Sequence, residues 1–179
     1  MSRAGTNLHP NSRASEQHLE WKFEQLVTNS IHTRWTNEGS LMPDPVEVVR
    51  QFCALMEKRD PEALRPFLAS GAVYQNVGMP AFTGIEAILE NMGAQFSMFP
   101  DAYAFEILNI ASEGSVVLTE RLDYIQAPDG TKPAVPVMGT FVLDESGKIT
   151  RWTDYFDVSL TVKLLQGEDI SALVPAAST

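Results

Sequence analysis

The chain has 179 residues, 44% of them hydrophobic and 20% charged, which suits one globular domain with a proper core and is too short for two comfortable ones. The net charge of −10 is confined to residues 43–179, which hold nine Lys/Arg against 19 Asp/Glu, while residues 1–42 hold four of each sign. So acidic a domain repels phosphate backbones, which argues against a nucleic-acid partner, and no run approaches the roughly 20 apolar residues that would span a membrane.

Residues 1–14 read as a polar tail. Leu19, Phe23, Leu26 and Ile31 then fall near helical spacing behind Ser15, which predicts an amphipathic helix at about 15–31. Thr33 to Pro43 reads as a linker. Residues 1–42 are therefore expected to form an N-terminal extension, and Met42, immediately before the main domain at 43–179, offers an alternative start. Asp44-Pro45 pairs an N-cap acid with proline at the first helical position and predicts a helix to about Arg59, burying Val46, Val49, Cys53 and Met56 or Leu55. Asp60-Pro61 repeats the signal for a short helix through Leu68, closed by Ser70-Gly71. A strand at Ala72 to Val77, a loop at Gly78 to Gly84 and a helix at Ile85 to Met98 follow, the helix stopping before Pro100. Four β-rich segments come next: Ala104–Ala111, Val116–Gln126, Val135–Leu143 and Ile149–Asp157. Glu113-Gly114, Asp129-Gly130 and Ser146-Gly147 are the turns between them, and a last helix covers about Leu160–Gln166. Helices first and successive antiparallel hairpins afterwards predict an α+β fold, with a pocket where helices meet the concave side of the sheet.

Cys53 is the single cysteine, so no intramolecular disulfide can form, and the N-terminus lacks the long apolar run of a signal peptide; the expectation is a cytoplasmic protein. His9, His18 and His32 all precede the main domain. A domain without histidine and with one cysteine has no Ser-His-Asp or Cys-His nucleophile and none of the usual zinc sites. Its chemistry must come from carboxylates, Tyr, Lys, Arg and backbone.

Residues two apart on a strand share a face. Val117, Thr119, Arg121, Asp123 and Ile125 therefore project together, with Glu120 on the opposite face. Trp152, Asp154 and Phe156 share a face of the last strand, and Tyr74 and Asn76 share one of the first. An aspartate between two large aromatics is expected to be buried, and a buried carboxylate is costly unless paired. A guanidinium has five donors in a planar fork and can serve two carboxylates at once, so Arg121 with Asp123 and Asp154 forms a self-consistent set. Two carboxylates on one Arg can hold one proton between them, one acting as acid and the other as base. The same spacing also fits a structural ion pair, and Cys53 reads as a small apolar core residue.

Three segments resemble limonene-1,2-epoxide hydrolase: Val73-Tyr74-Gln75-Asn76, Leu118-Thr119-Glu120-Arg121-Leu122-Asp123, and Arg151-Trp152-Thr153-Asp154-Tyr155-Phe156-Asp157. Their order and spacing match as well, and the similarity covers about residues 43–165. The resemblance implies an NTF2-like or cystatin-like cone: a strongly curved, mixed but mainly antiparallel sheet with helices closing a deep pocket, usually in a homodimer. It implies no metal and no organic cofactor. Asp154 would be the base that deprotonates water, Tyr74 and Asn76 would hold that water, Asp123 would be the acid that protonates the epoxide oxygen, and Arg121 would bridge the two aspartates. Hydration to a vicinal diol would take one step, with no covalent enzyme intermediate. Ile125, Trp152 and Phe156 share faces with the polar set, and by similarity Phe96, Phe99, Val135 and Val137 join them around a terpene or cycloalkene epoxide. The alternatives are another enzyme on the same scaffold, an isomerase or polyketide cyclase, or a non-catalytic module that binds apolar ligands. An isomerase has no reason to place Arg between its acids, and a simple binding module has no need of five polar groups.

Overall fold

In the computed structural model, residues 43–101, 103–126 and 130–174 are described. The predicted tail at 1–14, the predicted helix at about 15–31, the linker up to residue 42 and Asp129 of the second turn lie outside them.

Asp44 caps the first helix, α1 (Pro45–Ala54), by accepting from the Val46 amide at 3.0 Å. Val49, Phe52 and Cys53 form its buried face; Val46 is only half-buried, and Phe52 occupies the centre of the stripe. The helix tightens into a 310 turn over Leu55–Lys58, where Met56 is buried, and ends on Arg59 at φ +50°. Asp60 caps the next segment as predicted, accepting from the Glu62 amide at 3.0 Å, and the short helix it opens, Pro61–Phe67, is of the 310 type. Pro66, inside it, has no N–H to give and restricts the residue before it.

The first strand, β1 (Leu68–Asn76), begins where that helix was expected to end. Ser70-Gly71 lies within the strand, in the stretch between Leu68 and Val73 where its pairing shifts register. The loop that follows contains a two-residue strand, β2 (Phe82–Thr83), folded back antiparallel on β1. Helix α2 (Ile85–Met98) has the predicted bounds and buries Ile88, Leu89, Met92 and Phe96.

Strands β3 (Tyr103–Glu113), β4 (Val116–Ile125), β5 (Ala134–Leu143) and β6 (Ile149–Tyr155) form the antiparallel part. Their order in the six-stranded sheet is β2-β1-β6-β5-β4-β3, and β1 joins β6 in parallel. The sheet is therefore mixed and mainly antiparallel, curved and unclosed. Strand β6 stops two residues sooner than expected because Asp157 caps α3 (Val158–Leu165), accepting from the Ser159 amide at 2.8 Å. The core lies between α1, α2 and the concave face. Phe52 of α1 meets Trp152 edge-on at 5.2 Å, and Phe141 and Val117 are fully buried beside them.

Candidate active site

Alternation on β4 places Val117, Thr119 and Arg121 fully buried on the concave face, while Glu120 is exposed on the other side and paired with Asn109. Arg121 donates to Asp123 through Nε at 2.9 Å and Nη2 at 3.0 Å. The same Nη2 lies 3.0 Å from Asp154 Oδ2. One guanidinium thus serves both carboxylates, and Nη1 reaches the Thr119 hydroxyl at 3.4 Å. The Phe105 ring covers the guanidinium, its centroid 4.4 Å from Cζ.

The two acids differ in setting. The Asp154 side chain is 4% exposed and that of Asp123 15%. Burial pushes the Asp123 carboxyl up, Arg121 pulls it back and Asp154 adds a further rise, leaving it at about 6. Burial works against charge on Arg121, but the carboxylates of Asp154 and Asp123 outweigh it and hold the guanidinium firmly protonated. Asp154 Oδ1 is buried and has no hydrogen-bond partner among the described residues.

Parallel pairing of β1 with β6 sets Asn76 beside Asp154 and Tyr74 beside Trp152. Tyr74 stacks on the Trp152 ring at 3.9 Å and donates to Asn76 Oδ1 at 3.0 Å. Burial, with Asp154 nearby, drives the phenol well above its usual range, so Tyr74 stays protonated.

These groups border a cavity of about 110 Å³, lined at one end by Tyr74, Asn76, Asp123 and Asp154. Phe99, Ile125, Val135, Val137 and Phe156 form apolar wall, in the positions anticipated for substrate contact. Arg121 is not on the wall but behind the acids it joins. Two residues expected on the wall are not there. Trp152 lies beneath Tyr74, and Phe96 lies behind Tyr103 with ring centroids 5.1 Å apart. Gln95, Tyr103, Phe105 and Thr161 line the cavity without having been predicted. Gln95 was within reach of the sequence, being one helical turn before Phe99. Phe105 and Tyr103 depend on the β3–β4 register, which pairs them with Asp123 and Ile125.

Cys53 is buried, and its surroundings push the thiol up to about 12, so it is an inert core residue. Among the described residues, no helix is long and apolar enough to cross a membrane.

Residues 43–166 match the family described as limonene-1,2-epoxide hydrolase catalytic domain. Epoxide hydrolase EphG of Mycobacterium tuberculosis is 30% identical over 132 residues, covering 72% of this chain and 83% of that protein. The structure of an LEH-like epoxide hydrolase from M. tuberculosis superposes with a TM-score of 0.58 at 28% identity, over 74% of this chain and 96% of the other. A SnoaL-like protein from Jannaschia sp. CCS1 superposes with a TM-score of 0.61 at 18% identity, over 70% and 93% of the two chains, and shares the NTF2-like fold alone.

Proposed function

The chain belongs to the limonene-1,2-epoxide hydrolase catalytic-domain family, and from that premise we propose that it adds water to a small apolar epoxide, giving a vicinal diol by one-step general acid–base catalysis without a cofactor. The observation that carries this reading is the Asp123–Arg121–Asp154 bridge opening on an apolar cavity, with one Asp154 oxygen left unpartnered.

An epoxide is strained, and opening it needs a nucleophile at carbon and a proton on oxygen. Water held by Tyr74 and Asn76 gives a proton to Asp154 Oδ1 as its oxygen bonds to carbon. The epoxide C–O bond breaks, and its oxygen takes the proton of Asp123. The set begins with Asp123 neutral and Asp154 charged, and ends with the two reversed. Its total charge is unchanged, so Arg121 compensates one carboxylate at every stage. Apolar walls keep bulk water away and strengthen these interactions. The apolar wall suits a small terpene or cycloalkene epoxide.

The partners of the reaction are the epoxide and water, and we place the enzyme in a homodimer. The outer sheet face supports this, because Leu118, Met138 and Tyr155, on three neighbouring strands, are each about half exposed.

Asp123→Asn and Asp154→Asn are each expected to abolish diol formation from cyclohexene oxide, assayed without added metal, while thermal unfolding stays cooperative. Full activity in either variant defeats the acid–base assignment. In a single turnover in oxygen-18 water, the label is expected in the diol and not in the protein; label on an aspartate would establish a covalent route instead.

A further inference from the structure

Arg121 carries the positive charge that joins the two acids, yet it is fully buried and does not border the cavity, whereas both of its carboxylate partners do. Between cation and cavity stands the ring of Phe105. The ring lines the cavity, and its centroid lies 4.4 Å from Arg121 Cζ. The strand register puts it there. Phe105 of β3 faces Asp123 across the β3–β4 pair, so Arg121, two residues earlier on β4, is its diagonal neighbour on the same face. Tyr103 at 5.6 Å and Trp152, edge-on at 6.2 Å, hold the ring in place.

The guanidinium makes its hydrogen bonds within its own plane: Nε and Nη2 to Asp123, Nη2 also to Asp154, and Nη1 to Thr119. Its face carries no N–H and is weakly hydrated, and the electron-rich face of an aromatic ring suits it. With that face open, cavity water would lie on the cation. Water raises the local dielectric and loosens the hold of one guanidinium on two carboxylates. It also solvates the carboxyl of Asp123, whose charge burial opposes more strongly than Arg121 favours it. Wetting therefore lowers that carboxyl from about 6 toward 3.8, and the acid would lose its proton before an epoxide arrived.

We infer that Phe105 is a positioning residue: its ring caps the buried guanidinium, keeps water off the Asp123–Arg121–Asp154 set, and so keeps Asp123 a proton donor. The catalytic consequence rests on the hydrolase reading. The cap itself does not, because it is a property of the free protein.

Phe105→Leu removes the flat face but keeps an apolar side chain, and Phe105→Ala opens the site further. With carbon-13 in the aspartate carboxyls, NMR of the free protein is expected to show Asp123 titrating at about 6 in wild type, about half a pH unit or more lower in Phe105→Leu, and lower again in Phe105→Ala. The wild-type value in both variants overturns the cap whatever reaction is catalysed; where Phe105→Ala fails to fold, Phe105→Leu alone decides. In turnover of cyclohexene oxide, a carboxyl titrating about half a pH unit lower makes the loss of kcat/KM about two- to threefold greater at pH 8 than at pH 5, because only the protonated fraction reacts. A loss equal at the two pH values reduces Phe105 to a wall for the substrate and overturns its positioning role. A wild-type protein that hydrates no epoxide ends the hydrolase reading, and the order of the titrations then decides the cap alone.

Discussion

Asp123 lies where two large effects oppose each other. Burial disfavours its charge, the Arg121 guanidinium favours it, and burial wins by enough to bring the carboxyl to about 6. A general acid must carry its proton when the substrate arrives. If Asp123 is that acid, kcat/KM falls roughly tenfold per pH unit above about 6, because the protonated fraction does. A pH–rate profile flat from pH 6 to 8.5 would exclude it from the role. The same titration acts on stability. A folded value above the ordinary 3.8 means that the neutral form is the one the fold prefers. That contribution is complete below pH 3.8 and is lost as the pH rises through about 6. Asp123→Asn imitates the neutral form, so at pH 8 its melting temperature is expected to equal or exceed that of wild type.

Strand packing sets what the residues can do. Thr119, Gly139 and Asp154 are cross-strand neighbours in one row over β4, β5 and β6, and the Arg121 guanidinium lies over the middle of it. Only the lack of a side chain at Gly139 leaves room. A Cβ there would lie 2.6 Å from Thr119 Oγ1 and 3.0 Å from Asp154 Oδ1, and would collide with Arg121 Nη1. The guanidinium cannot withdraw, being held twice by Asp123, once by Asp154 and covered by Phe105. Gly139→Ala is therefore expected to destabilise the protein by about 1–3 kcal/mol and to cut kcat at least roughly tenfold. Thermal melts with steady-state rates test this, and a fully active, fully stable variant would show that the row has slack. A bulge in β3 has a comparable effect on the wall. The register shift between Ile107 and Asn109 lets Phe105 and Ile107 before it, and Ile110 after it, share the concave face.

At the scale of the whole molecule, the concave face is filled by helices and the cavity, and the outer face is left with apolar residues in the open. Met138 is 51% exposed, Tyr155 51% and Leu118 47%, all centred on the strands that carry the site. An apolar sheet surface of this kind is ordinarily covered by a partner. The proposed homodimer predicts twice the chain mass in sedimentation or light scattering for wild type, and the chain mass for Met138→Glu. A wild-type monomer at micromolar concentration removes the dimer from the proposal.

Much of this was legible in the chain itself. Alternation put Arg121 and Asp123 on one face and Glu120 on the other, Asp-Pro marked two helix starts, and Pro100 marked the end of α2. These are local rules, and a few neighbouring residues suffice to apply them. The same kind of rule misled at Ser70-Gly71, which was expected to close the short helix and lies within β1, and at Asp157, which caps α3 instead of ending β6. What no local rule decided was convergence: that Asp154 meets the guanidinium of a strand two places away, that Phe105 covers it, and that Gly139 makes the space between. Trp152 and Phe96 carried the right chemistry for a pocket wall, but Tyr74 and Tyr103 stand in front of them. Only pairing register and packing order determine which of several inward-facing side chains reaches the cavity, because both arise from contacts between residues far apart in the chain.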